Sequence, residues 1–295
     1  MLTKRLQLKE EKDLESAFKH ILEAEVIVVG AGAGLSAAAG LNYLDAEFFR
    51  SHYRNFIKAG YKNAWDGITQ NWRVTKDNAR TYWGFWAHHI NAVFYKPDQL
   101  GTYKDLYKLL SDKKHFIITT NGDGQFYKGL FDPSNLFAMQ GNYGYFQCQQ
   151  GCHERIYKNE DMIRDMLNGF DTSTLKIRKK DIPYCPQCGE LLCPNLRVDQ
   201  YFIEKEHMIN KDAYIGFINE ACDQKVVFLE LGVGFNTPVI IRYPFERMTK
   251  EIKNAQLIRV NKSSRPNSKV NSKKILELAM DIDTFIKKYN EEEEQ

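Results

Sequence analysis

The sequence of 295 residues is 43% hydrophobic and 13% aromatic, which suffices for one large domain or for a domain with a smaller insert. With 41 basic and 38 acidic side chains, its net charge of +3 argues against nucleic acid or an anionic membrane as the main partner. The first residues, MLTKRLQLKEEKD, lack a signal-like apolar core, and no stretch approaches the roughly 20 apolar residues of a spanning helix. We therefore expect a cytoplasmic protein that acts on a small molecule or another protein.

Helical and strand-like patterns alternate along most of the chain. An amphipathic helix is predicted by apolar side chains at helical spacing, namely Leu14, Phe18, Ile21 and Leu22. A buried strand is predicted at residues 26–29, and similar apolar runs follow at residues 115–119, 225–231 and 255–260. Long segments with helical periodicity separate these runs. The pattern therefore predicts an α/β fold with a Rossmann-like parallel sheet and crossover helices.

Two segments interrupt this alternation. Residues 42–98 are rich in aromatics, and Trp83, Trp86, Ile90 and Val93 fit one helical face. Residues 142–195 hold five of the six cysteines. The predicted parts are a Rossmann-like domain (residues 1–41, 99–141 and 196–295), a helical cofactor or acceptor insert (42–98) and a zinc-binding small lobe (142–195).

The pattern near the C-terminal end of the sequence fits more than one kind of element. Residues 275–281 suit either a last strand or the start of a helix. Residues 284–289 predict a terminal helix that frays into the acidic tail EEEEQ.

The first predicted strand ends in a glycine-rich turn. Gly30, Gly32 and Gly34 stand in VIVVGAGAGLSAAAG, before a helix of small residues. Backbone amides at such a turn can face a pyrophosphate, and glycine leaves room for that approach. The pattern predicts a dinucleotide or phosphate ligand, with a tight turn that binds nothing as the alternative. No acidic residue is evident at the end of a second strand, which argues against a dehydrogenase.

Four cysteines form two short pairs, Cys148-x3-Cys152 and Cys185-x2-Cys188. Two such pairs present four thiolates to a tetrahedral zinc ion, and the proline and glycine of PYCPQCGE let the backbone turn around the metal. Disulfides are not expected in a reducing compartment. Because four protein ligands close the shell, the zinc is expected to be structural. Cys193 and Cys222 have no partner at this spacing and are expected to be small buried apolar residues.

Four stretches, in order along the chain, resemble the motifs of the sirtuin family. They are GAGLSAAAG (32–40), TTNGD (119–123), LGVGFNTP (231–238) and IRVN (258–261). They resemble the sirtuin glycine motif, the second motif, the Gly-Thr-Ser loop and the strand that ends in a ribose-binding asparagine. The resemblance covers nearly the whole chain. It implies that NAD lies in a cleft between the Rossmann-like domain and the smaller lobe.

The resemblance also implies roles for individual residues. Asn121 and Asp123 would orient nicotinamide and its ribose, which suits a reaction that expels nicotinamide and needs mainly orientation and charge stabilisation. A plain loop is the alternative for Asn121, because Thr-Thr-Asn-Gly also suits a turn after a strand. The residues that the resemblance assigns to NAD are Gly32, Ala33, Gly34, Ser36, Tyr43, Thr120, Asn121, Gly122, Asp123, Gln140, Gly232, Val233, Gly234, Asn261 and Asp281.

Gln140 is the main departure from the sirtuin pattern. In deacylating sirtuins a histidine at this position acts as a base on a ribose hydroxyl, whereas glutamine cannot take up a proton near neutral pH. Losing a general base typically costs about 10²–10⁴-fold in rate, which argues against efficient deacylation. NYLD (42–45) replaces Pro-Asp-Phe-Arg, so that Tyr43 is expected to cover the cofactor. NLRVDQYFIEK (195–205) lacks the Phe-Gly-Glu strand that pairs with acyl-lysine peptides.

These features most resemble the macrodomain-linked bacterial sirtuins, often called class M. That resemblance implies a protein ADP-ribosyltransferase with Asn121, Asp123 and Gln140 as catalytic residues. The acceptor would be a lipoylated carrier of the glycine-cleavage H type, and a macrodomain ADP-ribosyl hydrolase would be the functional partner. Two alternatives remain: an NAD-dependent deacylase in which another group replaces the histidine, and a non-catalytic NAD or ADP-ribose sensor.

Two further features have open roles. Five neighbouring ring side chains either line an acceptor pocket or belong to the core: Tyr82, Trp83, Trp86, His88 and His89. A basic run within residues 176–180 is either a solvated loop or a docking patch for an acidic carrier. Its members are Lys176, Arg178, Lys179 and Lys180.

Overall fold

The computed structural model describes residues 2–262 and 273–293. Its strands are β1 (Val26–Ala31), β2 (Lys114–Thr119), β3 (Leu136–Ala138), β4 (Gly141–Cys148), β5 (Tyr157–Lys158), β6 (Leu192–Leu196), β7 (Val226–Leu231), β8 (Ala255–Val260) and β9 (Ile275–Leu278). The main sheet is parallel, in the order β3-β2-β1-β7-β8-β9. A smaller antiparallel sheet has the order β5-β4-β6. This architecture confirms the predicted α/β fold.

Helices connect and cover the strands. They are α1 (Leu2–Glu23), α2 (Ala33–Ala38), α3 (Ala46–His52), α4 (Arg54–Lys58), α5 (Ala64–Gln70), α6 (Ala79–Ile90), α7 (Gly101–Leu110), α8 (Glu160–Asn168), α9 (Lys211–Ala221), α10 (Arg242–Glu251) and α11 (Ile282–Glu293). A π-helical segment (Asn91–Tyr95) continues α6, and short 3-10 turns lie at Gln125–Tyr127, Pro133–Asn135, Lys179–Asp181 and Lys205–Met208. Among the described residues, no helix has the length and apolar character needed to cross a membrane.

The sequence of the central strands explains their place in the sheet. Every residue of β1 and β7 is buried; β1 is rich in valine, and β7 is rich in valine and leucine. Strands buried on both faces suit a parallel sheet that has helices on each side. Aromatic side chains build a second core, formed by the helices of residues 46–90 and the small sheet. The division of the chain into the three predicted parts stays a prediction.

Most predicted elements are confirmed, and three details differ. Leu22 is 58% exposed, because the buried face of α1 instead carries Ala17, Phe18 and Ile21. Strand β3 was not predicted. The ambiguous segment at residues 275–281 begins as strand β9, and α11 continues through Glu293. The predicted fraying is therefore wrong for residues 291–293, and residues 294–295 lie outside the described part of the chain.

Candidate active site

The main sheet brings three of the motifs to one edge. The last residue of β1, Ala31, lies opposite Thr119 of β2 and Leu231 of β7, so the loops after these strands begin at the same level. The chain order reverses at β1, with β2 on one side and β7 on the other. Ligands of open α/β sheets bind outside the carboxyl ends of the strands at such a reversal.

Four polar side chains meet at this edge: Ser36, Tyr103, Asn121 and Asp123. The Ser36 hydroxyl donates to the Asp123 carboxylate and lies 2.9 Å from the Tyr103 hydroxyl. Nδ2 of Asn121 donates to Ser36 Oγ at 3.1 Å and to the Gly32 carbonyl at 3.0 Å. We call these four side chains the polar cluster. It joins the glycine motif directly to the second motif, and Tyr103 adds a contact from α7.

Sequence reasoning missed Tyr103. Its hydroxyl also lies 3.4 Å from Asn121 Nδ2, and the side chain is fully buried. The available signal was a tyrosine on the apolar face of a helix, beside Leu106 and Leu110. A buried tyrosine hydroxyl needs a hydrogen-bond partner, and here the partners are motif residues.

The carboxyl group of Asp123 is shielded from solvent. The residue is 3% exposed, and its second oxygen accepts from the backbone N–H of Gln125 at 3.0 Å. Burial raises the pKa of Asp123, while hydrogen bonds from Ser36 and Gln125 oppose that rise. Groups with perturbed pKa values gather at functional sites. In the same loop, Thr120 donates its N–H to Ala31, and Gly122 accepts from the N–H of Tyr143.

The glycines of the first motif have a structural role besides the ligand contact expected of them. A Cβ added at Gly32 would lie 2.6 Å from the Gly232 carbonyl oxygen, and one added at Gly34 would lie 2.6 Å from Cα of Gly232. The amides of Gly32 and Gly34 also donate to the Leu231 and Gly232 carbonyls, at 3.0 and 2.9 Å. These glycines therefore allow two loops to approach closely, and their own amides already have partners. Ala33, between them, begins α2.

The residues assigned to the adenosine end of NAD lie after β7 and β8. Nδ2 of Asn261 donates to the Val233 carbonyl at 3.3 Å, which joins these two loops. Gly234 is exposed, and a Cβ there would have no atom within 4 Å. Asp281 is farther along the chain, where its carboxylate accepts from the N–H of Thr284 at 3.1 Å and caps the start of α11. Its predicted contact with NAD thus has a structural alternative.

Gln140 lies in the turn between β3 and β4 and is half-buried. Its carbonyl accepts from the N–H of Arg197 at 3.0 Å. The next residue, Gly141, has φ 94°, and its carbonyl oxygen lies 3.7 Å from the Cβ position of Gly122. The backbone around Gln140 is therefore beside the loop that carries Asn121 and Asp123.

A cavity of about 460 Å³ lies between the helices of residues 46–90 and the small sheet. Its lining is mostly aromatic and apolar, with a few polar groups. We call it the aromatic cavity. It includes Tyr43, Trp65, Trp72, Arg73, Tyr82, Trp86, Tyr143, Gln147, Cys193, Leu196, Val198, Asp199 and Tyr201. Tyr143 connects it to the polar cluster, because its backbone N–H donates to Gly122 at 2.9 Å.

The ring side chains on α6 divide between the aromatic cavity and the core. Tyr82 and Trp86 line the aromatic cavity. Trp83 is core, with its ring 4.5 Å from Phe146. His88 contacts the Phe170 ring on the α8 side. His89 is fully buried and meets two tyrosine hydroxyls, described below.

The four predicted metal ligands come together. The Sγ atoms of Cys148, Cys152, Cys185 and Cys188 all lie within 4.8 Å of one another, and two of the pairs are 3.6 and 3.7 Å apart. Four thiolates around zinc at about 2.3 Å would be roughly 3.8 Å apart, so the cluster fits a tetrahedral zinc ion.

The remaining cysteines differ from the expectation for buried residues. Cys193 is half-buried in the wall of the aromatic cavity, and Cys222 is exposed, so the expectation was wrong for Cys222. In the basic run, Arg178 donates to Asp181 at 2.6 Å. That pairing reduces the charge available to a docking patch, whose role stays a prediction.

No protein-family model matches the chain. A protein ADP-ribosyltransferase of Staphylococcus aureus is 32% identical over 268 residues, which span 90% of this chain and 82% of that protein. A probable bifunctional ADP-ribose hydrolase/ADP-ribosyltransferase of Fusarium oxysporum f. sp. cubense is 28% identical over 239 residues. These residues span 79% of this chain and 39% of the fungal protein.

Solved structures share the fold. Sir2Tm bound to a propionylated peptide matches with a TM-score of 0.54 and 18% identity, over 95% of this chain and 98% of that chain. An ADP-ribose complex of a Sir2 homologue matches with a TM-score of 0.55 and 17% identity, over the same shares of the two chains.

Proposed function

The chain belongs to the sirtuin-like protein ADP-ribosyltransferases, and from this membership we propose the roles of its residues and the nature of its acceptor. The reaction is transfer of ADP-ribose from NAD to an acceptor protein, with release of nicotinamide. One observation supports it above the others. Ser36, Asn121 and Asp123 converge at the carboxyl edge of the sheet, while the nearby position of the sirtuin base is occupied by Gln140.

The polar cluster fits the nicotinamide end of NAD. In our proposal, Asp123 accepts a hydrogen bond from the nicotinamide carboxamide, and Asn121 orients the adjacent ribose. Nicotinamide leaves with the electron pair of the C–N glycosidic bond, and the acceptor atom forms a new bond to the same ribose carbon. Where the acceptor atom carries a proton, that proton passes to solvent or to a neighbouring group. The protein supplies mainly orientation and charge stabilisation for this step.

Gln140 determines which reaction is favoured. Its amide can donate a hydrogen bond to a ribose hydroxyl, but it cannot take the proton of that hydroxyl. The hydroxyl attack that sirtuin deacylation needs is therefore disfavoured, and loss of such a base costs about 10²–10⁴-fold. An acceptor whose nucleophile carries no proton, such as an ionised carboxylate, does not need that base.

The rest of NAD would follow the loops after β1, β7 and β8. The pyrophosphate is assigned to the segment of residues 32–36. Because the amides of Gly32 and Gly34 have partners, Ala33 and Ser36 are the better candidates for direct contact. The adenosine end is assigned to Gly232, Val233, Gly234 and Asn261. Tyr43 is assigned to cover the nicotinamide. The zinc of the cysteine cluster would hold the small lobe and take no part in the chemistry.

The acceptor is proposed to be a carrier protein with a lipoyl arm. The aromatic cavity supports this idea, since its walls are largely apolar and it reaches Tyr143 beside the polar cluster. Trp65 and Trp72 in its lining are 44% and 45% exposed, as expected where a partner docks. A long apolar arm with a small head would suit this shape.

A macrodomain hydrolase is the proposed functional partner. It would remove ADP-ribose from the acceptor and make the modification reversible. The fungal relative supports this pairing, because its name joins an ADP-ribose hydrolase to an ADP-ribosyltransferase and this chain spans only 39% of it.

The function is tested by incubating the purified protein with adenine-labelled NAD and two lysates of its source, one with and one without lipoylated carrier. The variant Asn121→Ala removes the amide that contacts Ser36. The control Asn219→Ala changes an exposed asparagine of α9. We expect one discrete labelled protein with the wild type and the control, and none with Asn121→Ala.

The outcomes separate the alternatives. Label that depends on lipoylation supports the proposed acceptor, whereas label on another protein keeps the transferase and rejects that acceptor. Absence of labelled protein from both lysates rejects the transferase. Acyl transfer from a peptide would then indicate a deacylase, and tight NAD binding without nicotinamide release would indicate a sensor.

A further inference from the structure

His89 is a buried polar residue that the proposed reaction does not yet use. It lies on α6 and is 0% exposed. Its Nδ1 is 2.8 Å from the Tyr53 hydroxyl, and its Nε2 is 3.4 Å from the Tyr143 hydroxyl. Each ring nitrogen therefore faces a tyrosine from a different part of the fold, Tyr53 from the end of α3 and Tyr143 from β4.

Aromatic rings hold the imidazole of His89 on several sides. Phe85 stacks on it at 5.7 Å with 14° between the planes. Tyr43 and Trp86 approach it edge to face, with centroid distances of 4.9 and 5.6 Å. Such contacts leave the ring little freedom to rotate.

This setting also keeps the imidazole neutral. Burial lowers the pKa of His89 to about 3. A neutral imidazole has one N–H donor and one acceptor nitrogen, so it can serve both tyrosine hydroxyls at once. Because it does not take up a proton near neutral pH, His89 is not a replacement for the missing base.

Tyr143 connects His89 to the candidate active site. Its backbone N–H donates to the Gly122 carbonyl at 2.9 Å, between Asn121 and Asp123 in the sequence. Its hydroxyl lies close to that of Tyr43, and both side chains line the aromatic cavity. The hydroxyls of Tyr43 and Tyr143 therefore lie where the cavity meets the polar cluster.

We propose that His89 is a positioning residue, which fixes the Tyr143 hydroxyl, and through it Tyr43, at the junction of the aromatic cavity and the nicotinamide site. The inference rests on the proposed function, since it assigns these two hydroxyls to the alignment of the acceptor with the ribose carbon. His89 itself touches neither substrate. Its effect should appear in kcat for transfer rather than in affinity for NAD.

Two conservative substitutions separate the contacts of His89. The amide of asparagine reaches the position of Nδ1, so that His89→Asn keeps the contact with Tyr53 and loses the one with Tyr143. The amide of glutamine reaches the position of Nε2, so that His89→Gln keeps Tyr143 and loses Tyr53. Each variant loses one hydroxyl contact in the same core and serves as the stability control of the other.

Transfer and NAD binding are measured for both variants, the latter by calorimetry. We expect kcat to fall about 10–100-fold in His89→Asn, the cost of a misplaced reacting group, and to fall less than about 3-fold in His89→Gln. The dissociation constant for NAD should stay within about 2-fold of wild type in both. Equal kcat losses in the two variants, or a loss explained by NAD affinity, would overturn the inference.

A second measurement needs no acceptor. Unfolding midpoints are measured for His89→Asn, for Tyr143→Phe and for the variant that combines them, which gives a double-mutant cycle. A parallel cycle combines Tyr143→Phe with His89→Gln instead. We expect the first pair to be non-additive, because the shorter side chain of the His89→Asn variant does not reach the Tyr143 hydroxyl. Removing that hydroxyl should therefore cost less in the His89→Asn background, while the His89→Gln background should retain the full cost. Additivity throughout would refute the inference, whereas lack of transfer by the wild type would instead refute the proposed function.

Discussion

The two sides of the candidate active site are built in different ways. The proposed cofactor side is the polar cluster at the carboxyl edge of a buried parallel sheet, where hydrogen bonds join residues that are far apart in the sequence, such as Ser36 and Asp123. The proposed acceptor side is the aromatic cavity between the helices of residues 46–90 and the small sheet, with few polar groups and a half-exposed rim. The first is fixed by the register of β1, β2 and β7, whereas the second depends on the packing of the small sheet against the helices of residues 46–90.

This difference fits the two tasks of a group transfer, which are to expel nicotinamide and to recognise the acceptor. Expelling nicotinamide requires polar groups that are already oriented before the bond breaks, and a rigid sheet edge provides them. Recognition of an acceptor depends on shape and apolar contact, which side chains of varied origin can supply. The two sides should therefore respond differently to mutation.

Removal of the metal should have the largest effect, and it should affect the acceptor side first. Strands β4 and β6 carry Tyr143, Cys193 and Leu196 of the aromatic cavity, and β4 ends at the proposed metal ligand Cys148. We expect Cys148→Ser to cost more than about 4 kcal/mol in unfolding free energy, as loss of a structural metal typically does. Denaturant unfolding and zinc content are the measurements.

The control is Cys222→Ser, an exposed cysteine outside the cluster, which should change stability by less than about 0.5 kcal/mol. Partial loss of zinc should lower transfer before it lowers NAD binding, because the polar cluster belongs to the main sheet. Wild-type protein that contains no zinc would contradict the prediction.

Much of the cofactor side was predictable from sequence. Asn121 and Asp123 stand in a motif after a recognisable strand, and the cysteine pairs have the spacing of a metal site. Tyr103 was not predictable, because its role depends on α7 packing over Ser36. The structural requirement for glycine at positions 32 and 34 was also not predictable. Their close approach to Gly232 arises from strand order, which local sequence does not encode.

Asp123→Asn tests the cofactor side, because it should lower activity while it raises stability. Activity should fall by about 10²–10³-fold, since a preoriented polar group is lost. Stability should rise by about 0.5–2 kcal/mol, the usual range for removing one unfavourable feature. The folded-state pKa of Asp123 is raised by burial, so its carboxyl stabilises the fold at low pH and loses that contribution as pH rises through the raised pKa.

The stability gain of Asp123→Asn should accordingly be larger at about pH 8 than at about pH 5. Thermal unfolding at both pH values is the measurement, with Asp132→Asn as the control. Asp132 is an exposed carboxyl whose pKa is lowered by a hydrogen bond from Ser134, so its replacement should have the opposite sign. A destabilised Asp123→Asn at both pH values would show that the buried carboxyl contributes net stability.

Tyr103→Phe should have an intermediate effect. It removes only the hydroxyl that contacts Ser36 and Asn121, with loss of about 1 kcal/mol in stability. We expect nicotinamide release to slow by about 10-fold, because Asn121 and Ser36 lose one constraint on their orientation. The control Tyr107→Phe removes an exposed hydroxyl on the same helix. Equal rates for both variants would exclude Tyr103 from the polar cluster's function.

Trp72→Ala should have the smallest effect and should be confined to the acceptor side. Trp72 is 45% exposed at the rim of the aromatic cavity, so its truncation removes contact area for the acceptor without opening the core. We expect KM for the acceptor protein to rise about 3–10-fold, while the rate of nicotinamide release without acceptor stays unchanged. The control Leu22→Ala changes an exposed residue just before β1, at the opposite end of the strands from the polar cluster. A change in acceptor-free nicotinamide release would show that the rim also shapes the cofactor side, and the two sides would then not be separable.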